Sequence, residues 1–121
     1  MTYREREQLI TELTKLWYCT LVDHHKDSDC HFYIKMQWSY GQEPVYAVEH
    51  YGYILEETYE KFETYAQAQE YLISYLVEAI TNECEFYLTN PNNEEFVVQF
   101  QPKFLTIKQA LNSITEKLRA S

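Results

Sequence analysis

The densest chemistry in the chain lies in nine consecutive residues, Asp23-His24-His25-Lys26-Asp27-Ser28-Asp29-Cys30-His31. Imidazoles, carboxylates and a thiol together make the donor set of a borderline metal such as zinc. In an extended segment His25, Asp27, Asp29 and His31 share one side, and His24, His25, Asp29 and His31 are the candidate ligands. Structural zinc sites usually take their ligands from two separated pairs, however, and downstream there are only His50 and Cys84. A calcium loop is excluded, because Asp27-x-Asp29 is followed by neither the required Gly nor the terminal Glu. A solvated polar connection accounts for the same residues, since Asp and Ser form turns through their own side-chain hydrogen bonds. That connection is the preferred reading, with zinc as the alternative.

Other arrangements are weaker still as catalysts. Cys30 beside His31 has the elements of a nucleophile and its base. Neighbours in sequence point apart, and burial at the start of a strand would raise the thiol pKa and leave it inert. Glu56-Glu57 and Glu94-Glu95 are adjacent carboxylates that a strand would send to opposite sides, whereas acid–base work needs two carboxyls converging on a substrate. Gly41 and Gly52 are the only glycines, and they stand alone. A P-loop, a dinucleotide fingerprint and a nucleophile elbow all need glycines in set positions, so these classes drop out. The expectation is a protein without catalysis and without a cofactor.

Charge says more. The formal net charge is −9, and it is concentrated in the middle of the chain. Residues 43–95 hold twelve acids against Lys61 alone, while residues 96–121 hold Glu116 against Lys103, Lys108, Lys117 and Arg119. A middle of one sign repels a phosphate backbone, since nucleic-acid affinity comes from Lys and Arg displacing counterions. Direct nucleic-acid binding is therefore not expected. A solvated face explains the acids, and so does a face matched to a basic protein partner. An inhibitor or immunity-type protein whose acids imitate a nucleic acid is a further alternative. Twelve tyrosines in 121 residues suit a contact surface, because Tyr offers a large apolar body with a polar tip. The candidate interaction surface runs along the hairpin from Val45: Tyr46, Glu49, Tyr51, Tyr53, Glu56, Glu57, Tyr59 and Glu60. Homodimerisation through a sheet edge is compatible with it.

Three cysteines, Cys19, Cys30 and Cys84, make an odd count without paired spacing. With no apolar leader after Met1 and no run of transmembrane length, the expectation is a cytoplasmic, reduced protein away from membranes.

The elements that would position these groups follow from periodicity. A hydrophobic content of 45% supports one core, and the length suits a single domain over residues 1–121. Arg4 to about Leu16 reads as an amphipathic helix on Leu9, Ile10, Leu13, Leu16 and Trp17, with a strand starting near Trp17. Phe32, Ile34, Met36, Trp38 and Tyr40 alternate with polar residues, which marks a half-buried strand. Val45–His50 is a second strand and Tyr53–Tyr59 a third extended run. Thr64 is placed to cap a long helix reaching Ile80, apolar on most of its circumference and therefore covered on more than one side. Cys84, Phe86 and Leu88, then Phe96, Val98 and Phe100, alternate like strands around Asn90-Pro91-Asn92-Asn93. Pro102 would end the second of these, and Thr106 would cap a last helix on Ile107, Ala110, Leu111, Ile114 and Leu118.

Lys61, Phe62, Thr64, Gln67, Ala68 and Leu76 recur 42 residues later as Lys103, Phe104, Thr106, Gln109, Ala110 and Leu118, which reads as a ββα internal repeat. The expected fold is α+β: an antiparallel sheet of about five to six strands, two helices on one face and an N-terminal helix, in the order α-β-β-β-β-α-β-β-α. Over residues 4–80 this order resembles double-stranded RNA-binding domains in topology. Those domains use a Lys cluster at the start of their last helix to reach phosphates. Here that start is Glu63-Thr64-Tyr65-Ala66-Gln67, and RNA binding does not carry over. The expected function is that of a small acidic regulatory or adaptor protein acting through protein–protein contact.

Overall fold

A computed structural model describes residues 1–21, 32–50, 53–59, 61–89 and 94–120, and within these all side chains except those of 94–99. The first helix, α1, runs over Tyr3–Cys19. Thr2 caps it: its hydroxyl accepts the Glu5 N–H at 3.2 Å while the Glu5 carboxylate accepts the Thr2 N–H at 3.2 Å. That reciprocal pair holds the Glu5 carboxyl below its usual pKa. Leu9, Ile10 and Leu13 are buried, and Leu16 and Trp17 extend the same stripe onto the core. The strand expected from Trp17 does not form, because the helical stripe continues through it. Thr20 ends the helix, its N–H and hydroxyl both donating to the Trp17 carbonyl.

Three antiparallel strands follow in spatial order β1-β2-β3: β1 over Phe32–Gln37, β2 over Val45–His50 and β3 over Tyr53–Ile54. Phe32 faces His50, Ile34 faces Val48 and Met36 faces Tyr46. Gly41, at φ +78°, makes the turn between β1 and β2, a conformation in which a Cβ would be strained. The extended run expected to reach Tyr59 stops at Ile54 and gives way to a 3₁₀ turn, Glu56–Thr58.

Thr64 does cap the central helix. Its hydroxyl accepts the Gln67 N–H at 3.2 Å, and the Gln67 side chain accepts the N–H groups of Glu63 and Thr64. The helix, α2, runs over Tyr65–Thr89, well past the expected end at Ile80, and α3 runs over Glu94–Ala120. Both strands expected in residues 84–100 are absent, and this is the main correction. The described sheet has three strands rather than five or six, in the order α-β-β-β-α-α.

The physical reason is legible in the packing. Leu72, Leu76, Ile80 and Cys84 repeat every four residues and are buried, while Phe86, the middle member of the supposed strand, is 57% exposed. A four-residue spacing satisfies both periods of two and of 3.6, and burial chose the helix. In α3, Phe104, Ile107, Leu111 and Ile114 are buried, with Phe100 and Leu118 packed beside them. Pro102 lies inside this helix instead of stopping a strand. Thr106 is no cap either: its hydroxyl donates to the Pro102 carbonyl at 3.0 Å, the back-bonding of a mid-helix Thr. The ββα repeat thus fails in the second copy, because Phe96–Phe100 is helical where Ile54 to Thr58 is strand and 3₁₀ turn.

The long helix keeps its expected central place. It packs against β1, β2, α1 and α3. Tyr87 stacks on Phe104 at 4.2 Å and the Cys84 sulfur lies 4.0 Å from the Phe104 carbonyl, while Ile73 and Val77 share a hollow with Leu118, so α2 and α3 run antiparallel. On the sheet side, Phe32 and His50 stack at 4.0 Å beneath Trp17. Helices and sheet share one continuous core. Among the described residues no helix is long and apolar enough to cross a membrane.

Candidate binding face

His24, His25, Asp29 and His31, the candidate zinc ligands, lie outside the described residues, as do Cys30, Tyr51 and Glu60. Among the described residues no three His, Cys, Asp or Glu side chains converge to hold a metal. Cys84 is buried behind Phe104, and burial pushes its thiol pKa up, Lys108 opposing and Glu83 reinforcing. Cys19 is exposed at the end of α1.

The described tyrosines and acids expected to share a surface divide between four places. Alternation along β2 sends Tyr46 and Glu49 to opposite faces. Tyr46 turns toward α2, its ring edge-on to Tyr65 at 5.8 Å. Glu49 lies on the outer face, 3.9 Å from the Lys35 ammonium. Tyr53 and Tyr59 are exposed at the sheet margin, at 78% and 54%. Glu56 and Glu57 are exposed on the 3₁₀ turn, and of the two Glu57 lines a hollow against α2.

There the chain forms a hollow of about 430 Å³ lined by Glu57, Tyr71, Ser74, Tyr75, Glu78, Ala79 and Asn82. Its position depends on Thr58, fully buried beneath the 3₁₀ turn. The Thr58 hydroxyl accepts the Val48 N–H at 3.1 Å and donates to the Leu55 carbonyl at 2.8 Å, which ties the turn to β2. On the helix wall Tyr71 and Tyr75 lie one turn apart with rings 6.1 Å apart and 27° from parallel. Burial, and then the facing Glu57 carboxylate, push the Tyr71 hydroxyl up to about 12, so it stays a neutral donor. The Lys61 ammonium sits 5.8 Å from the Tyr71 ring and 5.8 Å from Phe62, outside the hollow.

The Tyr75 ring, two carboxylates and an amide, with a Tyr71 ring shared with Lys61, make an environment for an ammonium or guanidinium group. No protein-family description, curated protein or solved structure matches the chain.

Tyr71, Tyr75, Glu78 and Asn82 were not among the expected surface residues. Their signal was present: positions i, i+4, i+7 and i+11 form one stripe on a helix. Counted as apolar, Tyr75 joins the inward stripe and Tyr71 only widens it, which conceals the open face they share with Glu78 and Asn82.

Proposed function

We propose that this protein acts without catalysis of its own, by binding a basic protein partner through an acidic, tyrosine-lined face. The observation that carries this reading is the hollow in which Glu57 and Glu78 flank the Tyr71–Tyr75 pair. From Phe62 to Pro102 the sequence contains no Lys or Arg, and the chain's own cation at this wall is Lys61, 5.8 Å from the Tyr71 ring. A cation supplied from outside would meet the Glu57 and Glu78 carboxylates and the Tyr75 ring, beside a Tyr71 ring that Lys61 already approaches. The same charge disfavours direct contact with nucleic acid. The cysteine pattern supports a reducing, cytoplasmic setting.

The test is retention on the immobilised protein. Proteins recovered from a lysate at low salt should be enriched in basic chains and released by salt. Charge reversal in Glu56→Lys/Glu57→Lys should cut that retention severalfold. Retention that ignores both the reversal and the salt would refute the reading.

A further inference from the structure

We propose that the outer ridge of α2, Glu70-Ser74-Glu78, seats a basic amphipathic helix of the partner. This rests on the acidic-face function above and adds where the partner lies and what form it takes. Glu70, Ser74 and Glu78 are all exposed and follow one another at one-turn intervals.

A hollow opens on each side of this ridge. The first is the tyrosine and carboxylate hollow between α2 and the 3₁₀ turn. The second, about 420 Å³, is lined by Met1, Glu70, Ile73, Ser74, Val77, Glu78 and Leu118, where α2 meets the end of α3. Ser74 and Glu78 line both, so the two hollows abut along a single helical edge. One hollow is polar and acidic, and the other has an apolar wall of Ile73, Val77 and Leu118. Neither is lined by Lys or Arg, while Lys61 borders an adjoining hollow with Glu70, Tyr71 and Ser74.

The form of the occupant follows from what α2 can offer. Along its length a helix has no unpaired backbone groups, so an extended peptide would gain no main-chain hydrogen bonds there. A partner helix instead packs side chains into hollows beside a ridge. Apolar residues on one of its sides would enter the Ile73–Val77–Leu118 hollow. Lys or Arg on the adjoining side would meet Glu70, Glu78 and Glu57. Ser74, the small residue at the centre of the ridge, permits the close approach. A second copy of this chain would be repelled if it met the seat with its own acidic ridge.

The probe is a designed helical peptide of about five turns, with Lys and Arg along one face and Leu along the other. A peptide of the same composition with the pattern scrambled is the control. Binding is followed by fluorescence anisotropy at low and physiological salt. The patterned peptide should bind at least tenfold tighter than the scrambled one. Ser74→Trp, which blocks the ridge without altering charge, should weaken it at least tenfold, and Ser74→Ala should not. Glu70→Gln/Glu78→Gln gives a second test that does not add bulk, with an expected severalfold loss. If Glu56→Lys/Glu57→Lys weakens binding while Ser74→Trp and Glu70→Gln/Glu78→Gln do not, the acidic-face function stands and the seat on α2 is overturned. Equal binding of the scrambled peptide overturns the helical form. Self-association that is lost on Ser74→Trp assigns the ridge to a second copy and overturns the proposal as well. Binding that none of the variants alters overturns both readings.

Discussion

The hydroxyl of Thr58 stands where a neighbouring strand would place a carbonyl, accepting the buried N–H of Val48 at 3.1 Å. β3 has ended by then, and a side chain completes the pairing of β2. Thr58→Val keeps the shape and removes the acceptor, leaving the Val48 N–H buried and unpaired. The expected cost is about 1–3 kcal/mol, read as a lower urea midpoint with unchanged slope. The same change should loosen Glu57 and weaken binding of basic peptides. Thr58→Ser should recover most of both.

A second prediction concerns Gln69, which is fully buried between α1 and α2. Its carbonyl oxygen accepts from Arg6 Nε at 2.6 Å, and its amide nitrogen donates to Glu7 Oε1 at 2.7 Å. The Tyr65 hydroxyl donates to the same carboxylate at 3.1 Å, and burial and Glu7 together raise the Tyr65 pKa. The amide links a cation and an anion that each need a partner on this side of α2. Gln69→Leu should lower stability by about 2–3 kcal/mol, more than one neutral hydrogen bond. Gln69→Glu should also destabilise, since a carboxylate cannot donate to Glu7. A variant as stable as the parent in chemical denaturation would show that the network adds nothing.

A third concerns pH. His50 lies parallel to Phe32 at 4.0 Å, with Trp17 edge-on at 4.9 Å. Burial lowers its pKa from 6.5 to about 4. The unfolded chain therefore takes up this proton near the ordinary His value, and the native chain only at much lower pH. Stability from the neutral ring is complete above 6.5, falls as the pH drops from 6.5 to about 4, and changes no further below that. Because the ring is partly exposed, the loss should be on the order of 1 kcal/mol. His50→Phe should remove this component, so the melting temperatures of the two proteins should converge or cross across that window. Parallel curves would rule His50 out as the cause.

The fourth tests the element the alternating pattern misread. With Pro102 inside α3 one backbone N–H of the helix is missing, and the ring crowds the preceding turn. Pro102→Ala should raise stability by about 1–3 kcal/mol and increase helical ellipticity. A strand ending at residue 101 predicts no gain in ellipticity.

How much of this could be read from residues alone differed along the chain. α1, β1, β2, the Thr64 cap and the central role of α2 were legible, because each has a single period or a specific capping pair. Residues 84–100 were not. Cys84 and Leu88 fit a strand and a helix equally well, and only the exposure of Phe86 separates the two. Phe100, Phe104, Ile107, Leu111, Ile114 and Leu118 alternate steps of four and three, a helical signature that outweighed Pro102. Of the candidate face, Glu57 was foreseen. Its companions on α2 were hidden, because a tyrosine half inside the core and half facing a hollow has the same letter as one wholly inside.

The far margin of β2 is closed by three different groups in turn. The Leu55 N–H donates to the Val48 carbonyl, the Thr58 hydroxyl takes the Val48 N–H, and the Phe62 carbonyl takes the Tyr46 N–H at 2.8 Å. Little of that margin is left to template another chain, so this flank of the sheet is guarded against runaway strand stacking without the residues a full fourth strand would need. Chain length saved there is spent on helix, which leaves the protein's outward-facing variety to side chains rather than to backbone.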